Sequence, residues 1–287
     1  CIFLKSPRLW EKFIDGVLKD IGLIPTVHEP CLYHGTIDGK RILFLRQVDD
    51  FACAAPDQRT SDLLLDMIDE RLSMPIKRLG PVELFNGIDV QQTRYYVRIN
   101  AATYISRICE RHLATWMKDM KIAKDRPLPL PSDKEFINSL LHDEGDPDLK
   151  VQAKLEKSME CSYRNIVGEL TYAMVTCRPD ISIATVRCAQ ASAAPAEVHF
   201  RAAKHCMRYL YASRDEGLYF WRTTPRDDLE DKGLPPQHST DADLLPVGRQ
   251  HNGPFELHAF TDANWAACPK TRRSFTGICL RLAGGTI

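Results

Sequence analysis

Apolar residues first recur at intervals of three and four in Trp10, Phe13, Ile14, Val17, Leu18 and Ile21, the stripe of a helix with one buried face. Ser6 stands where a cap belongs, Pro7 suits a first turn and Gly22 a stop, so the spacing predicts a helix over Ser6 to Gly22. Short β-type runs follow at Cys31 to His34, Arg41 to Arg46 and Phe51 to Ala55, the first two joined by a turn at Ile37-Asp38-Gly39-Lys40. Leu64, Leu65, Ile68 and Leu72 return to helical spacing within Ser61 to Met74, after which Pro75 and Gly80-Pro81 break the chain. Leu84 to Val90 and Tyr95 to Ile99 read as another strand pair, and Thr103 to Leu113 as a helix, giving the order αββαββα.

The periodicity then dissolves. Pro-rich Arg126 to Pro131 and the acidic segment around His142, Asp143, Glu144, Asp146 and Asp148 read as a linker over 116–160. Three helices are expected next, marked by Tyr163 to Met174, by Arg178-Pro179-Asp180 and by Glu197 to Ala212, so that 161–222 forms an all-helical unit. A second polar linker covers 223–254. Within 255–287, Leu257 to Thr261 and Phe275 to Leu282 have strand character.

Composition changes this picture little. The 287 residues balance 38 basic against 38 acidic side chains and are 44% hydrophobic, the profile of a folded globular chain rather than a disordered one. The neutrality is not uniform. Segments 1–131, 161–222 and 255–287 carry net charges of +2, +3 and +2, while 132–160 and 223–254 carry −4 and −3. The pieces expected to fold are therefore mildly basic, which weakens the objection that neutrality raises to a nucleic-acid partner. No apolar run reaches the length of a bilayer span and no signal peptide opens the chain, so an intracellular, cytoplasmic protein without a membrane partner is expected. Ten cysteines without a Cys-x-x-Cys pair read as reduced, mostly buried thiols. The start at Cys1 and the end just past Gly284-Gly285 read as cuts at both ends of the chain.

The sharpest chemistry is Gln47-Val48-Asp49-Asp50. Two adjacent carboxylates at the turn of a buried hairpin would repel each other and lose hydration unless a hard cation such as Mg²⁺ neutralised them; the plainer reading is that Asp favours tight turns. Asp262 ends an apolar strand in a similar way. His199 and His205 lack partners at metal spacing and read as structural. Arg164, Arg178, Arg187, Arg201, Lys204, Arg208 and Arg214, interleaved with Tyr163, Tyr172, Phe200, Tyr209 and Tyr211, form either a solvated face or a surface that tracks a phosphate backbone.

In order, these segments resemble the polymerase of copia-type LTR retrotransposons. SPRLWEKF from Ser6, VHEPCLYHG from Val27, LRQVDDFACAA from Leu45 and LGPVELFNGIDV from Leu79 are similar to that family's successive palm blocks. YRNIVGELTYAMVTCRPDISIA from Tyr163 and HFRAAKHCMRYL from His199 resemble its thumb region, and FTDANWAACPKTRRSFTGICLRLAGGTI from Phe260 the opening of its appended RNase H. The resemblance implies an α/β (α+β) palm remnant over 1–115, a helical thumb over 161–222 and the first strands of an RNase H-like α/β domain over 255–287.

It also implies roles. Asp49 and Asp50 would be the metal-binding, catalytic carboxylates of the polymerase and Asp262 that of the RNase H, with Mg²⁺ or Mn²⁺ as cofactor. Lys5, Arg8, Gln47, Val48, Phe85, Gly87, Arg178 and Lys204 would contact nucleic acid or nucleotide. Partners would be an RNA/DNA primer-template, dNTPs and the remainder of the Pol polyprotein, with the alternatives of a catalytically dead relic or a primer/template-binding module only. Gln47 stands where the family has Tyr, and Lys5 where it has Gln. The family's third polymerase carboxylate lies before Cys1 and its other RNase H acids after Ile287, so the expectation for the chain alone is no polymerisation.

Overall fold

The computed structural model describes residues 6–72, 75–117, 128–222, 257–264, 272–282 and 285–286. The chain forms two compact units, Cys1–Asn86 and Gly87–Ile287. This partition differs from the five segments read from the sequence.

In the first unit, helix α1 (Ser6–Asp20) leads into strands β1 (Ile24–Pro25), β2 (Leu32–Ile37), β3 (Lys40–Gln47) and β4 (Asp50–Ala54), which form an antiparallel sheet in chain order. Asp38 and Gly39 both take positive φ, the two-residue turn whose twist matches a hairpin, and they join β2 to β3 where the sequence placed the turn. Helix α2 (Gln58–Asp69) starts on an Asp57 carboxylate that accepts the Thr60 amide hydrogen at 2.9 Å. Ile14 and Leu18 of α1, Leu64 and Ile68 of α2, and Tyr33, Ile42 and Phe44 of the sheet make one buried core. Both helices therefore pack on the same sheet face. Strand β5 (Leu84–Phe85) closes the unit.

The sequence placed one strand over Leu84 to Val90. The structure breaks it at Asn86 and Gly87, both at positive φ, so β6 (Ile88–Gln92) begins anew in the second unit. Asn-Gly is the pair that tolerates this conformation best, so the signal was in the sequence. Strand β7 (Tyr96–Asn100) pairs with β6, and helix α3 (Ala102–Met117) follows.

The expected linker over 116–160 is corrected in its described part. It contains α4 (Lys134–His142) and α5 (Leu149–Ser158), capped by Asp133 and Asp148, whose carboxylates accept the amide hydrogens of Phe136 and Lys150. Within that stretch the composition suggests solvated acids, but these two satisfy helix-end donors that would otherwise lack partners. Phe136 and Ile137 pack against the core and Leu140 is buried in it.

Helices α6 (Tyr163–Thr176), α7 (Ser182–Gln190), entered through a 3₁₀ turn at Pro179–Ile181, and α8 (Glu197–Ala212) lie where the sequence put them. The unit is not all-helical, however. Strand β8 (Gly217–Trp221) runs antiparallel to β7, and a Cβ at Gly217 would meet the Ile99 carbonyl where the two strands first approach. Ile105, Ile108, Tyr163, Ile166, Leu170, Phe200, Met207 and Leu210 fill its core together with Cys109, Cys177, Cys188 and Cys206. Burial raises these thiols above their ordinary value, so they sit as small apolar groups, as expected. His199 is structural too, its Nδ1 accepting the Ala196 amide hydrogen at the start of α8.

Strands β9 (Leu257–Asn264), β10 (Phe275–Leu282) and β11 (Gly285–Thr286) form a third sheet. The linker expected over 223–254 lies outside the described residues. No helix among the described residues is long and apolar enough to cross a membrane.

Candidate active site

Val48 and Asp49 form the two-residue turn between β3 and β4, with Gln47 opposite Asp50 in the register. Strand alternation sorts the side chains. Ile42, Phe44 and Arg46 of β3, with Phe51 and Cys53 of β4, face the helices. Gln47 and Asp50 share the opposite face with Leu43, Leu45, Ala52 and Ala54. Asp49 projects from the tip.

Gln47, Val48, Asp49 and Asp50 are all exposed, Val48 at 60%. This corrects one step of the sequence argument: carboxylates in water suffer no burial penalty, so nothing in the fold compels a cation to neutralise them. The case for a metal rests instead on how the pair is presented. Val48 holds φ at +59°, a left-handed conformation costly for a β-branched residue. Its carbonyl accepts a hydrogen bond from the Trp10 indole at 2.8 Å, tying the tip of the hairpin to α1.

Beneath the turn lies Arg46, only 5% exposed, with one terminal nitrogen 3.7 Å from Glu11 and from the Cys31 sulfur. Trp10 and Arg46 were missed as supports of the site. In the sequence Trp10 shows only as a stripe position, and an arginine in a strand gives no sign of facing a core. Trp10→Phe keeps most of the ring area but removes the donor. The expected result is about 1 kcal/mol less stability and faster hydrogen exchange at the Asp49 and Asp50 amides, read by mass spectrometry.

Two adjacent carboxylates supply hard oxygen donors, and Mg²⁺ characteristically takes one or two carboxylates while retaining water or substrate phosphate oxygens. Asp49 and Asp50 are the residues that could hold such an ion. Among the described residues no group of three His, Cys, Asp or Glu side chains converges to hold one by protein ligands alone.

The other expected site residues are dispersed. Arg8 is exposed on α1, Phe85 is half-buried at the end of β5, and Gly87 is exposed at φ +78° with the Tyr172 hydroxyl 3.5 Å from where a Cβ would stand. Lys5 lies outside the described residues. Asp262 is exposed on β9 opposite Gly277, on the strand face that also carries Phe260 and His258.

Arg178 and Lys204 are corrections: they were read as phosphate-contacting surface, but they are 1% and 2% exposed. Lys204 donates to the Met159 carbonyl at 2.5 Å. Arg178 forks onto Asp180 at 2.9 and 2.7 Å, donates to the Ser213 carbonyl and hydroxyl, and lies over the Tyr209 ring. Burial pushes the Asp180 carboxyl up, but the hydrogen bonds and charge of Arg178, with Tyr209, outweigh this and hold it below 3.8. These two cations staple the fold.

No family model and no solved structure matches the chain. Curated proteins do. It is 25% identical over 290 residues, covering 99% of this chain, to a retrovirus-related Pol polyprotein from transposon TNT 1-94 of Nicotiana tabacum. It is 27% identical over 217 residues, 75% of the chain, to the putative transposon Ty5-1 protein YCL074W of Saccharomyces cerevisiae, and 25% identical over 264 residues, 91% of the chain, to the Pol polyprotein from transposon RE1 of Arabidopsis thaliana. It spans 18%, 64% and 14% of those three proteins. Over most of its length the chain is similar, at 22–27% identity, to the Pol polyproteins of retrotransposons and to a putative transposon protein.

Proposed function

We propose that the chain is the part of a copia-type reverse transcriptase that carries the polymerase carboxylates, followed by the opening strands of an RNase H. The observation that carries this reading is the tandem Asp49-Asp50 pair at the end of a hairpin whose turn is held at positive φ by Val48 and tied to α1 by Trp10. The relationship to retrotransposon Pol polyproteins over nearly the whole chain supports it.

In this reading residues 1–115 are the palm, α6 to α8 with β8, within 161–222, correspond to the thumb region, and β9 and β10 begin the RNase H with Asp262 as its first carboxylate. Asp49 and Asp50 would hold Mg²⁺, which when bound supplies charge stabilisation at the reacting phosphate. The residues of the chain do the positioning. The open sheet face offers the Gln47 amide for hydrogen bonding beside Asp50, the apolar lane of Leu43, Leu45, Ala52 and Ala54 gives a smooth bed for a primer end, and the fixed turn spares Asp49 reorientation during the reaction.

The test is primer extension by the Pol polyprotein that contains this chain. Template-directed dNTP incorporation that requires Mg²⁺ or Mn²⁺ is expected. Salt-sensitive binding of an RNA/DNA hybrid without incorporation would leave only a binding module, and neither activity would leave a relic.

A further inference from the structure

A second feature of the first unit lies behind the carboxylate hairpin, on the helix-facing side of the sheet. The Arg46 side chain is buried, yet its contacts are few and long. One terminal nitrogen, Nη2, stands 3.7 Å from the Glu11 carboxylate, which is 59% exposed, and donates at 3.7 Å to the Cys31 sulfur, while Nε has no hydrogen-bond partner. In a guanidinium Nε–H and one Nη2–H leave the same edge of the planar fork, the edge that grips an oxyanion through two parallel bonds. In Arg46 that edge is turned toward a sulfur and only half used. A buried N–H without an acceptor costs stability that an oxygen placed beside it restores.

Cys31 lies just before β2 and is half-buried. Its carbonyl accepts the Arg46 amide hydrogen at 2.9 Å, which holds the two residues side by side on neighbouring stretches of chain. The nearby acids, Glu11 and Glu29, are exposed and screened by water, and a Glu29 oxygen is engaged by the Cys31 amide hydrogen at 2.9 Å, whereas the guanidinium acts from a buried position. Among the described cysteines Cys31 is the one whose sulfur accepts from a guanidinium. Cys53 and Cys161 are also half-buried, but burial raises their thiols above the ordinary value. Reactive thiols sit in partly exposed, electropositive surroundings, and thiols enclosed by apolar groups are inert.

We propose that Cys31 is a site of oxidation by hydroperoxides, at which Arg46 holds the sulfenic acid that forms. The Cys31 sulfur, its proton released to water, attacks one peroxide oxygen. The S–O bond forms as the O–O bond breaks, the sulfur gives two electrons to the peroxide, and the departing oxygen takes up a proton; with hydrogen peroxide it leaves as water. The oxygen left on sulfur is the acceptor that the Nε–Nη2 edge lacks. The inference does not depend on the polymerase reading, because neither Asp49 nor Asp50 takes part in it.

The test is exposure of the full chain to hydrogen peroxide in the presence of dimedone, which captures sulfenic acids, with the label on each cysteine read by peptide mass spectrometry. Cys31 is expected to take label at least about tenfold faster than Cys53 and Cys161. Arg46→Gln removes the gripping edge and is expected to slow labelling of Cys31 about fivefold or more, with Cys53 of the same unit reporting any loss of fold by gaining label. Glu11→Gln, at an exposed position, frees Nη2 for the sulfur and is expected to speed labelling of Cys31 about twofold or more. Labelling of Cys31 no faster than that of Cys53 and Cys161, undiminished in Arg46→Gln, or unchanged in Glu11→Gln would overturn the site.

Discussion

On the polymerase reading proposed above, Asp49→Asn is expected to lower template-directed incorporation by a Pol polyprotein carrying this chain at least about 10²-fold while leaving the chain folded. The substitution keeps the volume and one oxygen but removes the charge that attracts a divalent cation. Charge stabilisation by a metal at a phosphoryl group is worth several kcal/mol, and each 1.36 kcal/mol is tenfold in rate. Asp49 is exposed at the tip of the hairpin, so stability should move by no more than about 0.5 kcal/mol. Asp50→Asn should cost less, roughly tenfold, because in the proposed site Asp49 is the principal ligand and Asp50 its neighbour. The comparison is Asp20→Asn, an exposed acid at the end of α1, which should leave incorporation unchanged. Equal losses in all three variants would show a general charge effect and remove the hairpin from the chemistry.

The carboxylate pair was legible because it interrupts apolar strands, and so was α1, whose cap, stripe and stop agree. What stayed hidden was decided at long range or by weak patterns. β8 lies directly after α8, but its partner β7 precedes it by more than a hundred residues, and no local periodicity encodes such a pairing. α5 buries none of its residues, so it has no apolar stripe to read. Asp133 and Asp148 look like linker acids until their carboxylates are seen at helix starts. Arg178 and Lys204 show the reverse error, since a basic residue between aromatics reads as surface and its burial depends on carbonyls brought in by other helices. The strain at Val48 was invisible for a similar reason. Val suits strands, and only the two-residue register of β3 with β4 forces it into the turn.

The same buried arginine sets the largest stability effect. Arg178→Ala is expected to cost the second unit about 3 kcal/mol, read as a loss of protection of α6 and α8 amides in urea-dependent hydrogen exchange. Three contributions add. The Ser213 carbonyl and hydroxyl lose a donor inside a buried site, which costs about 1–3 kcal/mol. The emptied volume stays partly unfilled because the core around it is close-packed. Asp180 loses its fork, but its exposed edge rehydrates, so this adds less than for a fully enclosed pair. Arg178→Lys keeps the charge without the fork and should recover less than half of the loss, since one ammonium cannot serve Asp180 and Ser213 in the same plane. The pH dependence has a definite sign. The folded Asp180 carboxyl lies below its ordinary value of 3.8, so the pair contributes stability above that pH and loses it as pH falls through the depressed folded value. Wild type should therefore shed stability below about pH 4 more steeply than Asp180→Asn, which lacks the titrating group. Coincident acid limbs for the two proteins would mean that Asp180 and Arg178 are not coupled as their geometry requires.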